Sequence, residues 1–171
     1  MNIALVDNWN KIVKPEDTVY HLGDVTWGPF DINCLNGKKV LVVGNHDNLS
    51  QIGHYFEEVA YYKELRGILP KGRKLILMHY NIESWNGKFH KSIHLHGHCH
   101  GTCDNTGLLR WDVGVDCWNM KPVHLDQILA EVPKREEENA GALETRLREL
   151  KERDSEFKHL NEVADADNNS R

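Results

Sequence analysis

The chain has 171 residues, 40% of them hydrophobic and 27% charged, with 21 Lys and Arg against 26 Asp and Glu for a formal net charge of -5. That length suits one globular domain of roughly 100–200 residues with an appendage. No apolar run approaches the roughly 20 residues that cross a bilayer, and the opening Met1-Asn2-Ile3-Ala4-Leu5-Val6-Asp7 lacks the basic start and apolar core of a secretory leader. The acidic balance argues against broad nucleic-acid binding, which uses a basic face, but not against a small phosphate ester held by a metal.

In chain order, residues 2–13 are expected to be helical. Thr18-Val19-Tyr20-His21-Leu22 then reads as a strand running into Gly23-Asp24, and 39–43 as a strand running into Gly44-Asn45-His46-Asp47. A helix follows over 49–58. The runs 74–78 and 93–96 end in His79-Tyr80 and Gly97-His98, and 109–115 closes the series. Short runs rich in Val, Ile and Leu, bounded by Gly or Asn, are the pattern of buried strands. Segments 59–70 and 101–118 are open to further antiparallel strands, and 124–132 reads as a helix with Asp126 near its start. The alternation predicts a layered α/β fold.

Composition changes near Pro133. Residues 1–132 hold four of the five prolines and twelve of the thirteen glycines, whereas 133–171 hold one glycine and Phe157 as their single aromatic. Leu143, Leu147, Leu150, Phe157 and Leu160 recur at helical spacing among Glu, Arg and Lys. This predicts a separate amphipathic helix over about 135–160 and a polar, disordered end from Asp165. Such a stripe docks on its own domain or pairs with a copy of itself, so a homodimer through this helix is one expectation. The division expected is 1–132 and 133–171.

Eleven histidines are present, ten of them before residue 125 and four between His94 and His100. Histidine at this density points to metal. Four cysteines at uneven spacings (Cys34, Cys99, Cys103, Cys117) are expected as reduced thiols in a cytoplasmic protein. In open α/β sheets the ligand site lies beyond the carboxyl ends of the strands. The residues gathered there are Asp24, Asn45, His46, Asp47, His79, His98 and His100. Carboxylate, amide oxygen and imidazole together suit Mn, Fe, Zn or Ni, one ion or two, and not Ca, which takes oxygen alone.

Other readings of the same residues stay open. His96, His98, Cys99, His100 and Cys103 admit a structural zinc knot using thiolates. His94 and His96 read as packing or support for the ligands. Trp85, Trp111 and Trp118 offer either aromatic core or a stacking face for a nucleobase, and Asp104, Asp112 and Asp116 read as turn and surface residues.

Gly23-Asp24, then Gly44-Asn45-His46-Asp47, then a lone His79 after an apolar strand, then Gly97-His98-Cys99-His100, resemble the ordered signature of the calcineurin-like metallophosphoesterases. The stretch Asp112-Val113-Gly114-Val115-Asp116-Cys117-Trp118-Asn119 with Pro122-Val123 is similar to the end of small bacterial and phage members, whose setting is the cytoplasm or the host-cell cytoplasm. The resemblance covers about residues 5–130. It implies an αββα sandwich of two sheets, here short of the first strand, with the C-terminal helix added. It also implies Asp24 bridging two metals, Asn45, His79 and His98 completing one site, and His100 belonging to the other. His46 would stand over the substrate phosphate and protonate the leaving oxygen, with Asp47 orienting its ring. The implied activity is hydrolysis of a phosphodiester or phosphomonoester, of nucleotide type, by metal-activated hydroxide. The family's opening Asp-x-His occurs nowhere in this sequence, and Trp27 stands where a second Asp usually follows Asp24. The alternative is therefore a degenerate member that binds or regulates without turnover.

Overall fold

The computed structural model describes residues 2–105 and 107–168, with the backbone alone for residues 2, 143, 146 and 154–168. Helix α1 (Asn2–Ile12) leads to two sheets. The first has the order β1 (Thr18–His21), β2 (Lys38–Val42), β3 (Glu58–Ala60), all parallel. The second has the order β4 (Tyr62–Leu65), β5 (Leu75–Met78), β6 (Ile93–His96), β7 (Arg110–Asp112). Strand β4 runs antiparallel to β5, and the remaining pairs are parallel. Helix α2 (Leu49–Ile52) follows β2, and α3 (Leu125–Asn168) ends the described chain. This is a mixed α/β fold with two sheets and a C-terminal helix.

Alternation along the strands distributes the core. On β2, Val42 joins one apolar cluster with Leu75, Leu77, Ile93, Leu95 and Trp111 of the second sheet. Its neighbours Leu41 and Val43 face the other way, onto Ile32 and Ile52. The first cluster therefore draws on both sheets. Ile128 and Val132 of α3 complete it, and both are buried.

Strand β6 is buried on both faces. Ile93 and Leu95 enter the core cluster, while His94 and His96 on the opposite face are also shielded from solvent. The register sets His94 beside Arg110 and His96 beside Asp112. His94 lies between the carbonyl oxygens of Ile76 (Nδ1, 3.3 Å) and Tyr80 (Nε2, 3.2 Å), and burial pushes its pKa from 6.5 down to about 4. The unfolded chain thus takes up a proton that the native state refuses between about pH 6.5 and pH 4. Stability attributable to His94 is complete above pH 6.5 and falls by about 3 kcal/mol as pH drops through that window. Urea titrations of the metal-free protein at several pH values should show this slope, and His94→Gln should flatten it. An unchanged slope in the variant would remove His94 as its source.

Several expectations need correction. Helix 49–58 is shorter than expected: α2 stops at Ile52 and a 3-10 turn, Gly53–Tyr55, follows. Glycine is a poor helix residue, and it stands at the point where the helix ends. Segment 59–70 supplies the antiparallel strand β4, but Val59 and Ala60 belong with Glu58, the last residue of the expected helix, to the parallel strand β3. Segment 101–118 supplies only β7 among the described residues, and β7 is parallel. Helices 124–132 and 135–160 are a single helix, α3, which passes through Pro133 and continues to Asn168. Proline removes one hydrogen bond there, but the residues beyond it are dominated by Glu, Lys, Arg and Ala, all good helix formers. The expected disorder from Asp165 is helix as far as Asn168, and residues 169–171 lie outside the described residues. Of the apolar stripe, Leu147 and Leu150 are exposed, whereas the side chains of Leu143, Phe157 and Leu160 lie outside the described residues. By packing, the chain forms two compact units, 1–105 with 109–132 and 106–108 with 133–171. No helix among the described residues is long and apolar enough to cross a membrane.

Candidate metal centre

Two parallel strand pairs, one from each sheet, deliver the candidate residues from their carboxyl ends. After β1 the chain reaches Leu22, Gly23 and Asp24; after β2 it reaches Gly44, Asn45, His46 and Asp47; β5 ends at His79; β6 ends at Gly97-His98. Hydrogen bonds knit these ends together. His79 Nδ1 donates to Leu22 O at 2.6 Å, and Gly97 N donates to His79 O at 3.0 Å. His79 thereby ties the end of β1 to the end of β6.

Two glycines permit this approach. A Cβ on Gly44 would lie 2.6 Å from Asp24 N and 2.9 Å from His79 Cε1, and one on Gly23 (φ +91°) would lie 2.5 Å from Gly44 N. Neither separation is sterically open, so both loops need glycine where they pass. Asp47 locks the same crossing. Its carboxylate accepts from Asp24 N (3.0 Å), Val25 N (2.8 Å) and Gly44 N (2.8 Å). Asp24 answers by accepting from His46 N at 2.9 Å.

The donors meet at His79 Nε2. Because Leu22 O can only accept, Nδ1 of His79 carries a ring proton, and Nε2 is the nitrogen turned towards the other candidate donors. Around that nitrogen lie Asn45 Oδ1 at 2.9 Å, His98 Nδ1 at 3.2 Å and Asp24 Oδ2 at 3.5 Å. Ligand atoms of Asp24, His79 and His98 all fall within 4.8 Å of one another. An amide oxygen, a carboxylate oxygen and two imidazole nitrogens are thus turned towards one another. The mixed N/O set fits a divalent transition ion. A ring N–H given to a backbone carbonyl is also the usual support of a metal-bound histidine.

Backbone strain gathers here too. Asp24 (φ 55°), His98 (φ 67°) and His100 (φ 50°) are left-handed without being glycine, each at a cost of about 1–3 kcal/mol. Such residues turn side chains in directions that an extended segment forbids. They explain why His98 leaves the line of β6 instead of continuing the face of His94 and His96.

The remaining expected residues are placed differently. His100 is exposed, and its Nδ1 is paired with Asp116 Oδ2 at 2.5 Å, which raises its pKa, first through that hydrogen bond and then through the carboxylate charge. His46 is exposed as well. Its ring lies against Trp27, with centroids 4.3 Å apart. The neighbour of the His46 ring is thus Trp27, while Asp47 is occupied by backbone amides. Trp85 and Trp111 are buried, Trp118 packs on the core, and the exposed tryptophan beside His46 is Trp27. Tyr80 stands edge-on to His79 and His98, with centroids 4.9 and 4.8 Å away. Sequence reasoning missed Tyr80 as a neighbour, although its position directly after His79 was a usable signal.

Two further expectations are overturned. Cys99 and Cys103 form a disulfide, so four reduced thiols are not what the structure holds; Cys34 and Cys117 are free and exposed. Asp112 is not a surface residue but 8% exposed, and it accepts from Gly101 N (3.0 Å) and Gly114 N (2.9 Å).

No family model matches the chain. It is 31% identical over 147 residues to the uncharacterized protein MJ1445 of Methanocaldococcus jannaschii, an alignment covering 78% of this chain and 76% of that one. Among solved structures, it is similar to the protein of unknown function AQ665 from Aquifex aeolicus, with a TM-score of 0.60 and 30% identity over 74% of this chain and 82% of the other. Identity at this level across three quarters of each chain means that the protein belongs to one family with MJ1445 and AQ665.

Proposed function

We propose that the protein is a divalent-metal-dependent phosphoesterase of the calcineurin-like type, acting on a phosphodiester or phosphomonoester of nucleotide class, with the two sheets forming the sandwich of that family. The observation that carries the reading is the convergence of Asp24, Asn45 and His98 on Nε2 of His79. These four residues would hold an ion chosen from Mn, Fe, Zn or Ni. When bound, such an ion supplies Lewis-acid polarisation of a phosphoryl oxygen and a water of lowered pKa.

The chain's own residues supply the rest. His46 stands exposed at the rim, where its protonated ring can hand a proton to the departing oxygen as the P–O bond breaks. Its backbone N–H, held by Asp24, fixes where the ring starts. Trp27, 78% exposed and packed on that ring, offers a flat apolar face beside the leaving group, which suits a nucleobase. Self-association through exposed Leu147 and Leu150 of α3 belongs to the same reading.

Hydrolysis of bis(p-nitrophenyl) phosphate and p-nitrophenyl phosphate by the chain, stripped and then reloaded with Mn2+, tests the activity. Turnover that appears with Mn2+ and disappears with a chelator is expected. One observation favours a second reading, a binding protein of the same fold: Asp24 and His100 are the only expected donors for a second ion, and His100 is paired with Asp116. A chain that binds Mn2+ stoichiometrically and hydrolyses neither ester would establish that reading instead.

A further inference from the structure

A second cluster lies on the face of β6 that turns away from the apolar core, and the phosphoesterase reading does not use it. His96 has no exposed surface. Its Nδ1 lies 2.8 Å from Gly97 O, so that nitrogen carries the proton and Nε2 the lone pair. Nε2 is buried and makes no well-formed hydrogen bond, with the Asn105 side chain as its polar neighbour. Directly across the parallel register stands Asp112. A nitrogen of His96, Cys99 Sγ and a carboxylate oxygen of Asp112 all lie within 4.8 Å of one another. The fourth member is Cys103, whose Sγ is bonded to that of Cys99 and accepts a hydrogen bond from Asn81 Nδ2 at 2.9 Å.

His96, Cys99 and Asp112 supply three mutually close donors, and Cys103, held beside Cys99 by the disulfide, would supply a fourth for a zinc-class ion once that bond is reduced. The Cys-x3-Cys spacing falls within the usual Cys-x2–4-Cys of structural zinc sites. In the disulfide form the sulfurs are spent on each other, and only His96 and Asp112 remain. Charge balances in both forms: with the disulfide intact Asp112 and Arg110 offset each other, and the reduced, loaded form balances as well. Two thiolates and Asp112 carry three negative charges, which a divalent ion and the neighbouring Arg110, 4% exposed on the same strand face as Asp112, offset.

We propose that the Cys99–Cys103 disulfide and a zinc-class ion are alternative fasteners of one loop, and that reduction converts the cluster of His96, Cys99, Cys103 and Asp112 into a metal site separate from the Asp24 centre. A dithiol reductant supplies two electrons and two protons, which break the S–S bond into two thiols while the reductant closes its own disulfide. Binding of the ion then releases both thiol protons to solvent. The loop so fastened carries His98 and His100, both in left-handed conformation, so its bracing sets their directions whichever fastener is present. This inference stands apart from the phosphoesterase reading and survives if no ester is hydrolysed.

The test is titration of the metal-stripped full chain with Co2+ and then Zn2+, in oxidised and reduced forms. The reduced form is expected to bind one equivalent more, with a sulfur-to-cobalt charge-transfer band that Zn2+ abolishes. Cys99→Ser and Cys103→Ser should each lose the band and the extra equivalent, and His79→Ala should keep both. Wild-type protein supplies a readout that no folding defect can confuse. Zn2+ should slow alkylation of Cys99 and Cys103 in the reduced chain by at least about tenfold, while exposed Cys34, remote in sequence from the cluster, reacts at an unchanged rate. Equal metal uptake by the two redox forms, a band that survives Cys99→Ser, or thiols alkylated as fast with Zn2+ as without it would each overturn the proposal.

Discussion

Replacing His79 by alanine is expected to empty the Asp24 centre. His79 Nε2 is the atom on which Asn45, His98 and Asp24 converge, so its removal deletes the hub of the donor set. Lewis-acid stabilisation is worth several kcal/mol. Turnover of the aryl diester should therefore fall by at least about 10³-fold, since each 1.4 kcal/mol is tenfold. Binding gives an independent measure. Mn2+ at a hundred times its Kd should stabilise the wild-type chain by about 2.7 kcal/mol and the variant hardly at all. The substitution also breaks the 2.6 Å bond to Leu22 O, so the metal-free variant should melt earlier than the metal-free parent. Metal content by mass spectrometry is the decisive reading: a His79→Ala chain that keeps its ion would show that the centre has been drawn around the wrong residue.

His46→Ala is expected to do the opposite to metal and a comparable amount to rate. No ligand atom is lost, because His46 touches Asp24 only through its backbone N–H, which alanine retains. Metal content should stay at the parental level while kcat falls by about 10²–10⁴-fold, the usual contribution of a general acid. The loss should be greater for an alkyl ester than for p-nitrophenolate, which leaves without needing a proton. That dependence on leaving group separates proton donation from a general disturbance of the site, which would slow both esters alike. A variant that loses its metal would mean that ligand and catalyst have been exchanged in the assignment.

The legible part of the site was its set of donors. Asp24, Asn45, His79 and His98 each follow a short apolar run, and a strand that ends in Gly or Asn states where its side chains gather. The structure brings those four together. His100, taken from the same motif, is instead paired with Asp116, sixteen residues on. Spacing alone could not show this, because the left-handed turns at His98 and His100 re-aim both side chains. Asp47 shows the same limit: adjacent to His46 in sequence, it spends its carboxylate on three backbone amides at the crossing of the loops.

By itself the sequence determined the α/β class and the strand ends at which polar donors would collect. These follow from period, chain punctuation and residue chemistry, all of which act over a few residues. Only the tertiary structure decided that α3 runs unbroken through Pro133, that Trp27 covers His46, that Cys99 is bonded to Cys103 and that Asp112 is buried beside His96. Each of these depends on a partner or a continuation that local pattern does not name. A buried polar group must find whichever partner the packed chain places within about 3 Å, and that choice is made by the approach of distant backbones rather than by the residues on either side.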